Sequence, residues 1–431
     1  MVQNYDGSMD RLKQHRIDFQ HQPRVEIERN QLQRLNQLFE QVLPHNQFYR
    51  NKLGSSRSLR SLDELGQLPF TYKDELMDRH GSQYATNLTF PLERYARIHR
   101  TSGTRGRPLV VLDTEEDWLW WMTSWQYVLD AGNVDEQDRA VMAFSFGPFI
   151  GFWSAFDAAH FRNILVAPTG GMNTLARLEL IQTMQATIVF CTPSYALRMA
   201  EVAAENQILI DSLGVRELIV AGEPGGSIPS VRQKIESTWG AKVIDHAGAS
   251  EVGAWGFSDE RQQGLYLNEE DFIAEFLSVE TGQAANSGEL SELVITTLGR
   301  VGSPVIRYRT GDLVKPIWDH SGDSNFVLLE GGVLSRVDDM MVVRGVNVFP
   351  SSIEQILHGF PEIIEYRITV SKSGAMDQLK VEIEDRLERP ARVAKELQLR
   401  LGLRVEVCCV PLGTLPRFEL KGKRFIDMRG N

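Results

Sequence analysis

Between residues 139 and 245 short apolar runs alternate with amphipathic stretches, and this alternation limits the fold more than any other feature of the chain. Residues 139–144, 164–168, 187–190, 218–221 and 242–244 read as strands, the run 164–168 as a buried one. Helices are expected at about 173–184, at 193–205 and at 231–239. Strands separated by helices pair through crossovers, which lay them parallel in one sheet. Ligands gather at the carboxyl ends of such strands. Two loops take that position, Ala221-Gly222-Glu223-Pro224-Gly225-Gly226 and His246-Ala247-Gly248-Ala249-Ser250-Glu251.

The flanking regions read differently. Leu32, Leu35, Leu38, Phe39 and Val42 recur at helical spacing before Pro44, and a short helix is expected to start near Ser61. Asp113-Thr114-Glu115-Glu116 opens a tryptophan-rich helix to Ala131, whose Trp118, Trp120, Trp121 and Trp125 are packing residues. Residues 272–315 change to strands and turns, and the last 90 or so alternate short strands and helices. A chain of 431 residues exceeds one simple core. The fold class expected is α/β: a large N-terminal domain (1–335) with parallel sheets and a β-rich subdomain, and a small mobile α+β domain (336–431).

Composition narrows the partners. A net charge of −11 argues against general nucleic-acid or anionic-membrane binding. Cys191, Cys408 and Cys409 have no metal-ligand spacing and suit a reducing compartment, with Cys408 and Cys409 on opposite faces of a strand. Residues 1–16 lack the apolar core of a signal peptide, and the apolar stretch 141–156 is interrupted by Gly147, Pro148 and Gly151. A cytoplasmic location is expected.

One local basic site stands against that acidic balance. Arg100-Thr101-Ser102-Gly103-Thr104-Arg105-Gly106-Arg107-Pro108 packs glycines, hydroxyls and guanidiniums between two strand-like segments, 95–99 and 110–112. Glycines let backbone N–H groups converge on an anion, and guanidinium groups fork onto phosphate oxygens. No Gly-Lys-Ser/Thr closes the run, so it is not a P-loop. It is a polyphosphate grip or a basic surface hairpin.

Four further segments set the context: His246 to Gly253, Arg307-Tyr308-Arg309-Thr310-Gly311-Asp312-Leu313, the run from Arg336-Val337-Asp338 through Arg344-Gly345-Val346-Asn347-Val348-Phe349-Pro350, and Pro416 to Arg424. In this order and spacing they resemble the signature segments of the adenylate-forming superfamily, most nearly its phenylacetate-CoA ligase-like branch. The resemblance covers roughly residues 70 to 430. It implies activation of a carboxylic acid by ATP and Mg²⁺ to an acyl-adenylate with release of pyrophosphate, then transfer to coenzyme A. It assigns Thr101, Ser102, Gly103, Thr104, Arg105 and Gly106 to the phosphates, Glu251 and Thr104 to Mg²⁺, and Asp312 to the ribose. Gly222, Glu223 and Pro224, with Ala247, Gly248 and Ser250, would line the nucleotide, and Arg336 would lie near ribose or phosphate. Asp338 would be the hinge, and Gly345 and Asn347 would face coenzyme A after domain rotation. Lys421 is the candidate catalytic lysine, a flexible ammonium able to bridge carboxylate and α-phosphate.

The chain departs from the pattern in places. Leu420 stands where relatives carry glycine, and Gly422-Lys423 keeps a second lysine register open. Arg105 and Arg107 stand where threonine and lysine are usual. Ala247 replaces an adenine-stacking aromatic, a contact worth about 1–3 kcal/mol. Either another group supplies the contact or ATP binds more weakly, or Ala247-Gly248-Ala249 opens floor for a wide, flat acyl group. Phe146, Phe149, His246 and Gly248 are candidate acyl-pocket residues, with core packing the alternative for the aromatics. His246 is a contact to the acyl group or its carboxylate, or a structural histidine. The branch favours an aromatic acid. An adenylate-forming enzyme of secondary metabolism passing its acyl group to a carrier protein or reductase is a second possibility, and a non-catalytic nucleotide-binding relative a third. A homodimer stays open.

Overall fold

The structure, a computed structural model, describes residues 8–77, 83–101, 108–144, 146–259, 261–322, 324–337, 341–343, 346–373, 376–417 and 424–428. A nine-stranded sheet forms its centre. Its parallel half runs Leu165–Pro168, Arg139–Met142, Ile188–Cys191, Glu217–Val220, Lys242–Ala249 in spatial order. The sheet continues antiparallel through Gly253–Phe257, Gly264–Leu267, Leu328–Glu330 and Pro316–Ile317.

Alternating side chains divide this sheet between two cores, because successive residues of a strand face opposite ways. Val141, Val189, Leu218 and Val243 pack under the helices Thr174–Met184, Pro193–Glu205 and Pro229–Trp239. Ala140, Ile188, Ile219 and Ile244 pack under Glu115–Ala131 and Ile150–Phe161. Burial on both faces explains why these strands are apolar throughout. Helix starts follow the sequence signals: Asn173 and Thr192 accept the amide hydrogens of Ala176 and Tyr195 as N-caps.

Two expectations need correction. The strand Leu165–Pro168 is the sheet edge, with Leu165 61% exposed, because strand order rather than local composition decides which run is interior. His246 to Ala249 is not loop: the strand Lys242–Ala249 runs on through it, paired antiparallel with Gly253–Phe257 and shifted in register between Ala247 and Gly248.

A second, antiparallel sheet carries Phe272–Ser278, Ser291–Thr297, Tyr308–Val314 and Ser335–Arg336, placing Asp312 opposite Arg336. Arg97–Arg100 and Val110–Asp113 form a hairpin closed by mutual Thr101 and Leu109 hydrogen bonds. Toward the C-terminus a four-stranded sheet with the helices Pro350–His358 and Pro390–Leu401 surrounds a core drawn from residues between Val343 and Phe425. Its helix Pro350–His358 packs on Pro229–Trp239. Among the described residues no helix is long and apolar enough to cross a membrane.

Gly264 pairs with Glu330, and a Cβ there would collide with the Leu329 carbonyl oxygen. Gly264→Ala is therefore expected to destabilise the protein by about 2–3 kcal/mol. Urea unfolding followed by tryptophan fluorescence checks this, since all 8 tryptophans lie between residues 118 and 318. An unchanged midpoint would contradict the pairing.

Candidate functional site

The carboxyl ends of the parallel strands open on a cavity of about 1280 Å³ shared with the C-terminal unit. That exceeds the roughly 300–1,000 Å³ of a pocket for one small ligand. Thr101, Gly222, Glu223, Pro224, Ala247, Gly248, Ser250, Glu251, Asp312 and Arg336 all line it. A smaller cavity of about 560 Å³ lies elsewhere, but its Glu269 and Glu275 are already paired with Arg24 and Arg307.

Glu251 follows the long central strand and is buried. The Tyr308 hydroxyl donates to its Oε1 at 2.7 Å, and Lys73 Nζ lies 3.2 Å from the same oxygen. Burial alone would push this carboxyl up; Lys73 and the Tyr308 hydroxyl outweigh it and hold the group below the usual carboxylate range. Lys73 reaches the site because Thr71 bridges to Tyr308, its amide donating to the Arg307 carbonyl at 2.8 Å. The preceding carbonyl, Ser250, accepts from Arg300 Nη1 at 2.8 Å, while Arg300 Nε donates to Asp113 at 2.7 Å.

An ionised carboxylate on a cavity wall fits a hard divalent cation such as Mg²⁺. Among the described residues no cluster of three His, Cys, Asp or Glu side chains could hold a metal. Glu251 could supply one ligand to such an ion, with phosphate oxygens and water taking other positions, as is usual for Mg²⁺.

On one face of the central strand lie the loop 221–226 and Asp245. Glu223 accepts from the Ser194 amide at 2.7 Å, which fixes the loop against the helix Pro193–Glu205. Asp245 accepts from Ser227 Oγ at 2.5 Å, and burial pushes its carboxyl up to about 6. Arg336 Nη2 donates to the Thr310 carbonyl at 3.0 Å, and Nη1 lies 3.9 Å from Asp312 Oδ1.

On the other face stands an aromatic wall. Phe144 stacks on Phe152 at 4.3 Å, Phe149 meets Phe152 edge-on, and all three line the cavity. Phe146 does not: its ring packs against Trp153 and Phe156, outside the lining. His246 is buried beside Trp125, ring centroids 4.2 Å apart, with Nδ1 2.7 Å from the Gly256 carbonyl.

Ser102, Gly103, Thr104, Arg105, Gly106 and Arg107, the hinge candidate Asp338, Gly345, and both Lys421 and Lys423 lie outside the described residues. Asn347 falls in the short strand Val346–Val348. Arg417 and Arg424, which flank the Lys421 segment in the chain, both line the cavity. The sequence carries no local mark of Lys73, since its place depends on the bridge from Thr71 to a strand far along the chain. Tyr308 does carry one, an apolar ring alternating with Arg307 and Arg309 in a strand.

The sequence profile of the AMP-binding enzyme C-terminal domain family matches residues 345–429. The phenylacetate-coenzyme A ligase of Thermus thermophilus is 29% identical over 440 residues, covering 94% of this chain and 98% of that one. Its counterpart in Escherichia coli is 30% identical over 425 residues, covering 94% and 95%. In structure the chain is similar to 2-hydroxyisobutyryl-CoA ligase. The postadenylation state of that ligase, in complex with 2-HIB-AMP, gives a TM-score of 0.88 at 25% identity over 96% of this chain and 92% of that one. Its thioesterification state, with 2-HIB-AMP and CoA, gives 0.69 at 26% identity over 95% and 91%. With that identity maintained over nearly the whole length of both chains, the protein belongs to the phenylacetate-CoA ligase branch of the adenylate-forming superfamily.

Proposed function

We propose that this cavity activates an aromatic carboxylic acid in two steps. The chain is an AMP-forming acid–CoA ligase with ATP, Mg²⁺ and coenzyme A as the other participants. A carboxylate is a poor acylating agent because its leaving group would be oxide. In the first step a carboxylate oxygen attacks the α-phosphorus of ATP, and the bond to pyrophosphate breaks. In the second the coenzyme A thiol, losing its proton, attacks the acyl carbon and AMP departs.

The observation that carries the residue assignment is the convergence of Thr101, Gly222 to Pro224, Ser250, Glu251, Asp312 and Arg336 on one cavity. Charge gathers on phosphoryl oxygens in the first transition state, so fixed cations and a divalent metal lower its energy. Glu251, held ionised, binds Mg²⁺ together with the phosphates. Thr101 opens the phosphate loop, in which Thr104 is a further Mg²⁺ candidate. Gly222, Glu223 and Pro224 flank the adenine, and Asp312 accepts from the ribose hydroxyls. Phe144, Phe149 and Phe152 favour an aromatic acid on the opposite face.

Lys421 supplies the ammonium that bridges carboxylate and α-phosphate. Support comes from its flanks, since Arg417 and Arg424 both reach the cavity. For the second step the unit from residue 336 onward turns about Asp338, removing Lys421 and presenting Gly345 and Asn347 to coenzyme A. Such hinge motion between domains is a common device.

Replacing Lys421 by Ala is expected to lower acid-dependent pyrophosphate exchange by about 10²–10³-fold while ATP still binds. Loss in Lys423→Ala alone would move the role to Lys423. Mass spectrometry of the wild-type product tests the acceptor: a coenzyme A thioester is expected, and a free adenylate alone would exclude coenzyme A.

Glu251 is held below the usual carboxylate range, so in the wild type it stays ionised until the pH falls well into the acid range. Lys73→Met removes a charge that opposes burial, so the carboxyl rises and protonates at higher pH. The acid limb of kcat/KM for MgATP should move to higher pH, so that the variant's loss relative to the wild type grows as the pH falls and recovers as it rises. A limb that does not move would separate Lys73 from Glu251.

A further inference from the structure

His246 is a polar side chain on the aromatic face of the central strand, and its two ring nitrogens are in different situations. Val243 and Ile244 belong to opposite cores, so the next pair continues the alternation. Asp245 turns toward Ser227 and the loop 221–226, whereas His246 turns toward Trp125 and the face carrying Phe144. His246 is 7% exposed and lines the cavity. Its Nδ1 lies 2.7 Å from the Gly256 carbonyl, which can only accept, so Nδ1 carries the ring proton. Burial pulls the imidazole down to about 4, so near neutral pH the ring is uncharged. Nε2 then carries a lone pair, and among the described residues the hydrogen bond of this ring is the one at Nδ1.

Small residues clear the approach to that lone pair. A Cβ on Gly248 would sit 3.3 Å from Nε2 and 2.9 Å from the Gly253 carbonyl, so any side chain there would crowd the nitrogen. Ala247 and Ala249 on either side are also small. Trp125 fixes the ring from behind, its own Nε1 bound to Ser154 Oγ at 2.9 Å. An uncharged acceptor cannot hold a carboxylate, which offers no proton, so His246 does not anchor the reacting end of the acid. It is matched to a donor at the other end.

Given acid activation in this cavity, we infer that the acid is an aryl carboxylic acid bearing a hydroxyl or amino substituent, whose hydrogen is accepted by His246 Nε2 while its ring lies against Phe144, Phe149 and Phe152. An acid carrying a donor satisfies Nε2 on binding, whereas an acid without one buries it unsatisfied. A site that hydrogen-bonds a substrate hydroxyl rejects the analogue lacking it far more strongly than it senses a methylene.

The test is acid-dependent pyrophosphate exchange by the full chain over ring-position isomers of hydroxy- and amino-substituted phenylacetate, benzoate and cinnamate. Each is paired with its methoxy and fluoro counterpart. At least one donor-bearing acid is expected to exceed both counterparts in kcat/KM by about 100-fold or more. In His246→Phe, which keeps a ring but cannot accept, that ratio should collapse toward one; His246→Gln, which can accept, should recover part of it. Matched acids agreeing within about threefold in the wild type overturn the inference, and that comparison needs no variant. So does a ratio unchanged in His246→Phe, or a uniform rise in KM for ATP that leaves the ratio intact, since His246 would then read the nucleotide. Exchange with donor-free acids alone refutes the role of His246 and leaves acid activation standing, whereas no exchange with any acid refutes acid activation itself.

Discussion

The ion pair between Arg300 and Asp113 holds the site's separate segments in one place. Both side chains are fully buried, Nε to Oδ1 at 2.7 Å, and the cation lies 5.5 Å from the Trp121 ring. Taking two charges out of water costs several kcal/mol per ion, recovered only with close geometry and further hydrogen bonds. Here the further bonds reach what matters: Arg300 Nη1 binds the carbonyl of Ser250, next to Glu251, and Asp113 ends the hairpin strand that leads back to Thr101. The neighbouring turn is tied to the same helix, the Gly302 amide donating to Asp117 at 3.0 Å. On the far side of Asp113, His99 Nδ1 stands 3.8 Å from Oδ2, stacked on Trp118. One guanidinium therefore sets the distance between Glu251 and the stem of the hairpin that carries Thr101.

The C-terminal unit meets this frame where the helix Pro350–His358 packs on Pro229–Trp239. The likeness to the postadenylation state of 2-hydroxyisobutyryl-CoA ligase, 0.88, is well above that to its thioesterification state, 0.69, over the same share of chain. Arg424 is held by Glu365 through two hydrogen bonds, at 2.5 and 3.0 Å, and lies over the Tyr366 ring. All three line the cavity. This unit has a hydrophobic core of its own.

How much was legible in the sequence depends on the range of the interaction. The helices beginning after Asn173 and Thr192 could be read because caps and periodicity act within a few residues. The exposure of Leu165 could not, since nothing in an apolar run says which strands will flank it. The strand through His246 to Ala249 read as a turn because small residues and a glycine weaken strand propensity. The ladder to Gly253–Phe257, a tertiary partner, overrides that weakness. The Glu251 site was half readable: the carboxylate stands in a recognisable segment, but Lys73 arrives from a part of the chain with no mark of its own.

The same strand shows why the replacement of an aromatic by Ala247 need not be a loss. Strand alternation separates Asp245, on the side of the loop 221–226, from His246, on the aromatic side. Beyond the register shift at Ala247 and Gly248 the two faces come together at the cavity floor. On the proposed assignment, alanine at 247 costs the nucleotide about 1–3 kcal/mol of stacking, while Gly248 leaves the buried acceptor His246 Nε2 open to the acid. A bond to such an acceptor is of comparable size, because leaving it unsatisfied costs about 1–3 kcal/mol. On that assignment, the exchange moves selectivity from the nucleotide to the acid.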